Sequence, residues 1–255
     1  MKRDLFLCTF AEDALNIIKE FGIGMESNHF CISERLDDHV VEETISEVNR
    51  DMRFCDIDDL RKVFVHGPFT EIYPQAIDHL MTETGRKRLD SAFEACRRLG
   101  LNRMVVHSGF LPIMYFDTWH VERSVEFWGG YMRDKPSDFS IFIENVFDPD
   151  PEPLIEIVET LADPRIKLCL DVGHANAVTI DKNVYQWIKS MGENIGHFHL
   201  HNNDGSNDLH NPINDGTLDM DKVLRYIDDY CPPDATLTVE SRRVNGGIEW
   251  LLERL

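Results

Sequence analysis

The chain has 255 residues, with 26 Lys or Arg against 46 Asp or Glu, a formal charge of −20. That balance argues against a protein that holds DNA or RNA chiefly by neutralising phosphates, while an apolar fraction of 42% is enough for one sizeable core. The six cysteines, Cys8, Cys31, Cys55, Cys96, Cys169 and Cys231, are scattered without a Cys-x-x-Cys pair, so neither a zinc ribbon nor a disulfide framework is expected.

Residues 1–10 are too short and too charged for a signal peptide, and no apolar run approaches membrane-spanning length. A cytoplasmic enzyme is the expectation. In chain order, short apolar runs read as strands at residues 5–9, 24–27, 63–66, 104–107, 140–144, 167–171, 196–201 and 236–240. Amphipathic stretches at 13–21, 85–99, 121–133, 153–161, 184–190, 220–230 and 247–255 read as helices. No low-complexity tract or long Pro/Gly-rich linker divides the chain. Eight strands alternating with helices predict an α/β protein, a single-domain (β/α)8 TIM barrel over residues 1–255. Neither G-x-G-x-x-G nor G-x-x-x-x-G-K occurs, so a nucleotide cofactor has no support.

The polar residues fall where such a barrel builds its site. His66 ends the strand of KVFVHGPF and His107 that of RMVVHSG. Glu144 follows in FSIFIENV, Asp171 in IKLCLDVGH and Glu240 in TLTVESR. Each sits at the carboxyl end of its strand, the catalytic face of barrel enzymes. Two residues earlier stand Phe64, Val105, Phe142, Cys169 and Thr238, mostly apolar and suited to the layer beneath. The densest stretch is 197–219, HFHLHNNDGSNDLHNPINDGTLD. Alternation puts His197, His199 and His201 on one strand face, and Asp208 and His210 follow in a polar loop.

So many imidazoles and carboxylates are hard to bury unless each finds a partner, and a bound divalent cation would satisfy several at once. Taken singly, the residues have plainer readings. His66 could be a hydrogen-bonded structural group, Glu144 a paired buried carboxylate, and Asp171 a helix N-cap with His174 three residues on. His29, His39, His79 and His120 lack such context and read as surface or packing residues. Together, six successive strands delivering one His, Asp or Glu each predict a metal site. Imidazole with carboxylate and no thiolate suits zinc, manganese or iron, with zinc or manganese preferred and one to three ions.

The motifs VHGPF, VVHSG, IENV, CLDVGHA, HFHLHNNDG, DLHNPINDGTLD and VES resemble the xylose-isomerase-like barrel superfamily over the whole chain. That group includes sugar and sugar-phosphate isomerases and epimerases, inosose dehydratases and the endonuclease IV family (AP endonuclease family 2). The resemblance to sugar epimerases implies that Glu144, Asp171, His199 and Glu240 hold one divalent metal, with His201 as an alternative to His199. It also implies that Glu144 and Glu240 exchange the substrate proton. The resemblance to endonuclease IV implies a trinuclear zinc cluster that adds His66, His107, His174, Asp208 and His210. Asn202 is a departure, standing where many relatives carry Asp. The charge and the motif pattern rank a sugar isomerase or epimerase first and a zinc phosphoesterase second. The expected partner is a small sugar or sugar phosphate, its phosphate held by Arg242 and Arg243. Nucleic acid and membrane are not expected partners. Residues 31–37 and 110–119 are expected to set specificity, without a readable motif.

Overall fold

Short runs rich in Val, Ile, Leu and Phe form eight strands, each too brief to stand alone and each buried on both faces, as parallel strands under helices must be. They are β1 Leu5–Cys8, β2 Gly24–Ser27, β3 Val63–His66, β4 Arg103–His107, β5 Ser140–Glu144, β6 Ile166–Asp171, β7 Ile195–Leu200 and β8 Thr236–Val239. All pairings are parallel and sequential, and β8 returns to β1 (Phe6 beside Thr238) to close the barrel. The structure is a computed structural model describing residues 3–179 and 183–255. The predicted strands agree with these spans to within one or two residues, and the predicted (β/α)8 class is the one observed.

Nine α-helices are described: α1 Ala14–Phe21, α2 Val41–Phe54, α3 His79–Leu99, α4 Asp117–Met132, α5 Glu152–Leu161, α6 Val172–Val178, α7 Val184–Met191, α8 Met220–Tyr230 and α9 Gly247–Leu252. Helix α3 shows how they form. Asp78 caps its start by accepting from the Leu80 amide at 2.9 Å, and Gly100 ends it at φ 73°. Its buried residues Gly85, Leu89, Ala92, Cys96 and Leu99 recur every three or four positions. Helix α2 was not among the sequence-predicted elements, although buried Ile45, Val48 and Met52 carry the same spacing. The short α6 was seen only as a cap. No helix among the described residues is long and apolar enough to cross a membrane.

Two cores result. The larger lies between barrel and helices. The smaller fills the barrel: Phe64, Val105, Phe142 and Cys169, which strand parity predicts, form one buried cluster with Phe6 of β1, while Thr238, predicted for the same layer, is buried against Glu26. Gly24 belongs to this packing, because a Cβ there would lie 2.2 Å from the Phe6 ring. The pairing of β6 with β7 shifts between Leu168 and Cys169, so that Leu168 faces Ile195 and Cys169 faces His197. The extra residue, Gly196, changes the parity of β7 and turns His197 and His199 into the barrel.

Candidate metal centre

Strand register assembles the site. β4 and β5 pair with His107 opposite Glu144, and β6 and β7 pair with Asp171 opposite His199. His66 enters from β3, and Glu240 follows directly on β8. Loops bring the rest: His174 sits in the first turn of α6, while Asp208 and His210 return over the barrel mouth after β7.

At the centre, Glu144, Asp171, His199 and Glu240 are all buried, and their ligand atoms lie within 4.8 Å of one another. His199 Nδ1 is 3.2 Å from Glu144 Oε1, 3.2 Å from Glu240 Oε2 and 3.8 Å from Asp171 Oδ2. These same atoms, with both Glu144 oxygens, are buried and have no hydrogen-bond partner among the described residues. Leaving that many polar atoms unsatisfied in a protein interior is costly. A divalent cation would be met by the whole set, and three carboxylates with one imidazole are donors suited to zinc or manganese. The residues therefore fit the metal that their chemistry implies.

Two further groups adjoin. On one side, His66 Nε2 and His107 Nε2 lie 3.3 and 3.5 Å from Glu144 Oε2. On the other, His174, His201, Asp208 and His210 converge, with Asp208 Oδ2 3.4 Å from His174 Nε2 and 3.2 Å from His210 Nε2. Glu144 links all three, since its Oε1 is also 3.3 Å from His174 Nδ1. Of the two candidate histidines, His199 lies in the central group and His201 in the outer one. All nine residues singled out as candidate ligands come together.

The imidazoles are oriented by their other nitrogens. His66 Nδ1 donates to Gly67 O at 3.1 Å, His174 Nδ1 to Asn145 O at 2.9 Å, and His210 Nδ1 to Glu240 O at 2.7 Å. Each bond leaves Nε2 as the nitrogen that faces the site, toward Glu144 for His66 and toward Asp208 for His174 and His210. Asp171 caps α6, its Oδ1 accepting from the His174 amide at 2.7 Å, while Oδ2 faces the site. Gly173 lets the chain pass over His201, for a Cβ would stand 2.0 Å from that ring. Asn202 donates from Nδ2 to Ile213 O and Leu218 O at 2.8 and 3.1 Å, closing the loop that carries Asp208 and His210. An aspartate could accept but not donate, which gives the departure from Asp a structural reason.

At Glu144, Asp171, His174 and His210 burial works against charge, and attraction between imidazoles and carboxylates outweighs it. Glu144 is held well below the ordinary carboxylate range, chiefly by His199 and His107, and Asp171 lies below it too. His174 is held well above the usual imidazole value, and His210 is pushed up to about 9 by Asp208 and Glu240. His107 is the exception, lowered by burial to about 3.

Above the centre opens a cleft of about 920 Å³. Its walls are largely apolar, with Phe10, Ile32, Phe69, Phe110 and Phe147 among them, and they draw on both loops expected to set specificity. Phe69 stacks on His107 with ring centres 4.3 Å apart. Arg242 also lines the cleft, whereas Arg243 is exposed, pairs with Glu12 at 3.3 Å and lies outside the lining. Sequence reasoning missed Glu26, a fully buried carboxylate on β2; an acid inside a four-residue buried strand was the available signal. It also missed Asp148, which accepts from Ser108 Oγ at 2.7 Å and so ties the loop after His107 to the loop after Glu144. His120 is fully buried packing against Phe110.

The sequence profile described as the xylose isomerase-like TIM barrel matches residues 30–254. An uncharacterised protein of Methanocaldococcus jannaschii is 23% identical over 210 residues, 74% of this chain and 67% of its own length. Among solved structures, the TTHB071 protein of Thermus thermophilus, soaked with zinc chloride, superposes with a TM-score of 0.78 at 23% identity, covering 99% of this chain and 97% of that one. A D-tagatose 3-epimerase-like protein gives 0.74 at 19% identity, with 98% and 96% covered. At these identities the structural likenesses establish the fold.

Proposed function

Since the chain belongs to the xylose isomerase-like TIM barrel family, we propose that it is a divalent-metal-dependent sugar or sugar-phosphate isomerase or epimerase. It moves a proton at the carbon next to a carbonyl. One observation carries this reading: the unsatisfied atoms of Glu144, Asp171, His199 and Glu240 converge, with Glu144 and Glu240 opening onto a largely apolar cleft. When bound, a cation there supplies Lewis-acid polarisation of a substrate hydroxyl and the adjacent carbonyl, acidifying the C–H between them.

Glu144 and Glu240 enter from β5 and the end of β8, and both reach His199 Nδ1 at 3.2 Å. One takes the proton from the substrate carbon and the other returns one, which is general acid–base catalysis by paired carboxylates. Phe10, Phe69 and Phe110 line the approach, where aromatic faces pack the C–H side of a sugar and displace water. Among the described lining residues Arg242 is the one Arg or Lys, enough to meet a single phosphate but not a polyanion. The expected setting is the cytoplasm, without nucleic acid or membrane.

The test is solvent exchange. Metal-loaded protein incubated in deuterium oxide with a panel of ketoses, aldoses and their phosphates should place deuterium at the carbon next to the carbonyl. Glu144→Gln and Glu240→Gln should stop this, with metal content measured alongside. No exchange and no product from any of them, with metal confirmed in place, would remove the reading. A second reading, a zinc phosphoesterase of the endonuclease IV type, is favoured by the two ligand groups flanking Glu144. Adjoining cations suit phosphodiester hydrolysis because they clamp both the entering and the leaving oxygen. Incision of abasic duplex DNA, lost in Glu144→Gln, would put that reading first; the charge of −20 ranks it second.

A further inference from the structure

The histidines of β7 differ in what their second nitrogen touches. His197 is spent below the site: Nδ1 is 2.6 Å from Thr236 Oγ1, and Nε2 is 3.1 Å from Glu26 Oε2 and 3.0 Å from Thr238 Oγ1. Glu26 is fully buried on β2 and accepts from three donors. Thr238 Oγ1 donates to Oε2 at 2.6 Å, His197 Nε2 to the same oxygen, and His199 Nε2 to Oε1 at 3.0 Å. No atom of Glu26 is left without a partner, in contrast to Glu144, Asp171 and Glu240. Although an oxygen of Glu26 lies within ligand range of His66 and His199, each of its two oxygens already accepts a hydrogen bond.

We propose that Glu26 is the positioning residue of the metal centre, receiving the Nε2–H of His199 so that the Nδ1 lone pair faces Glu144, Asp171 and Glu240. His66, His174 and His210 are oriented by backbone carbonyls, which no side-chain substitution removes. His199 is held by a carboxylate, and a negative partner also makes the imidazole a stronger donor. Glu26 acts only through His199 and does not line the cleft. Thr238 Oγ1 and His197 Nε2, both on Oε2, keep the carboxylate from turning, whereas Thr236 meets only the far nitrogen of His197 and does not touch Glu26. The inference rests on the metal-site reading and not on the reaction assigned to it.

The experiment titrates zinc against a competing chromophoric chelator for the parent chain, Glu26→Gln and Thr236→Val. Thermal melts of the metal-free proteins run alongside. Glu26→Gln keeps the shape but replaces one acceptor oxygen with a donor, and should weaken zinc binding about 10- to 100-fold, the usual effect of losing such a partner. Thr236→Val breaks the lower end of the same network and should lower the melting temperature while leaving zinc affinity at the parent's level. Imidazole nitrogen NMR of the zinc-loaded parent should place the remaining proton of His199 on Nε2. A proton on Nδ1 instead would overturn the proposal, and this measurement decides it even if Glu26→Gln fails to fold. Parental zinc affinity in Glu26→Gln would overturn it as well, and so would an equal loss in Thr236→Val, which would mark the network as mere packing. A parent that binds no zinc sinks the metal reading itself, and the proposal with it.

Discussion

Asp148→Asn tests whether the loops behind the metal centre carry a stored electrostatic cost. Asp148 is buried and accepts from Ser108 Oγ at 2.7 Å and from the Val146 amide at 3.0 Å, both on Oδ2. Burial pushes its carboxyl up to about 6, against those two hydrogen bonds. The folded value therefore lies roughly two units above the ordinary Asp value of about 3.9. The native state holds its proton more tightly than the unfolded chain, so stability falls as pH rises from about 4 to about 6 and stays lower above that. At about 1.36 kcal/mol per unit, the ionised group costs on the order of 3 kcal/mol at pH 8. Asparagine keeps an acceptor for Ser108 and Val146 and carries no charge. Allowing for weaker neutral hydrogen bonds, the variant should be about 1–3 kcal/mol more stable than the parent at pH 8. For a chain of this size that raises the melting temperature by about 2–12 °C. Below about pH 4 the difference should vanish. Urea denaturation of both proteins across pH 4–8, with chelator present, measures it. A variant less stable at pH 8, or a difference that does not change with pH, would refute the reasoning.

Three further outcomes follow from the same geometry. Zinc or manganese at 100 times its dissociation constant should stabilise the parent by about 2.7 kcal/mol, an upward shift of about 5–11 °C in a thermal scan. Glu144→Gln should lose most of that shift, because Glu144 links all three ligand groups. In the metal-free protein, His210, pushed up to about 9, contributes stability that is complete below about pH 6.5 and lost as pH rises through about 9. A urea series over that range should show the decline, and His210→Asn should flatten it. Arg242→Ala should weaken a phosphorylated substrate at least tenfold relative to its free counterpart, as read from the ratio of kcat/KM values. Arg243→Ala, which breaks only an exposed pair with Glu12, should leave that ratio unchanged.

Strand boundaries, barrel class and the set of strand-end candidate ligands were all written locally. A parallel strand buried on both faces is a short apolar run, and a polar residue at its carboxyl end interrupts that run visibly, as His66, His107, Glu144, Asp171 and Glu240 each do. Helix α2 was legible in the spacing of Ile45, Val48 and Met52 but stood out weakly among its many charged neighbours. Strand alternation fixed that His197, His199 and His201 share a face, because the side-chain period of a strand is two. It could not divide their work. That division comes from depth in the barrel, which depends on register with two other strands. Thr236 and Glu26 claim His197, the carboxylates claim His199, and the loop after β7 brings Asp208 over His201. Glu26 could be noticed only as an acid inside a short buried strand, and its role was hidden for the same reason, since its partners lie 171 and more residues away. Periodicity along a chain reports which way a residue points, and only closure of the barrel decides what it meets there.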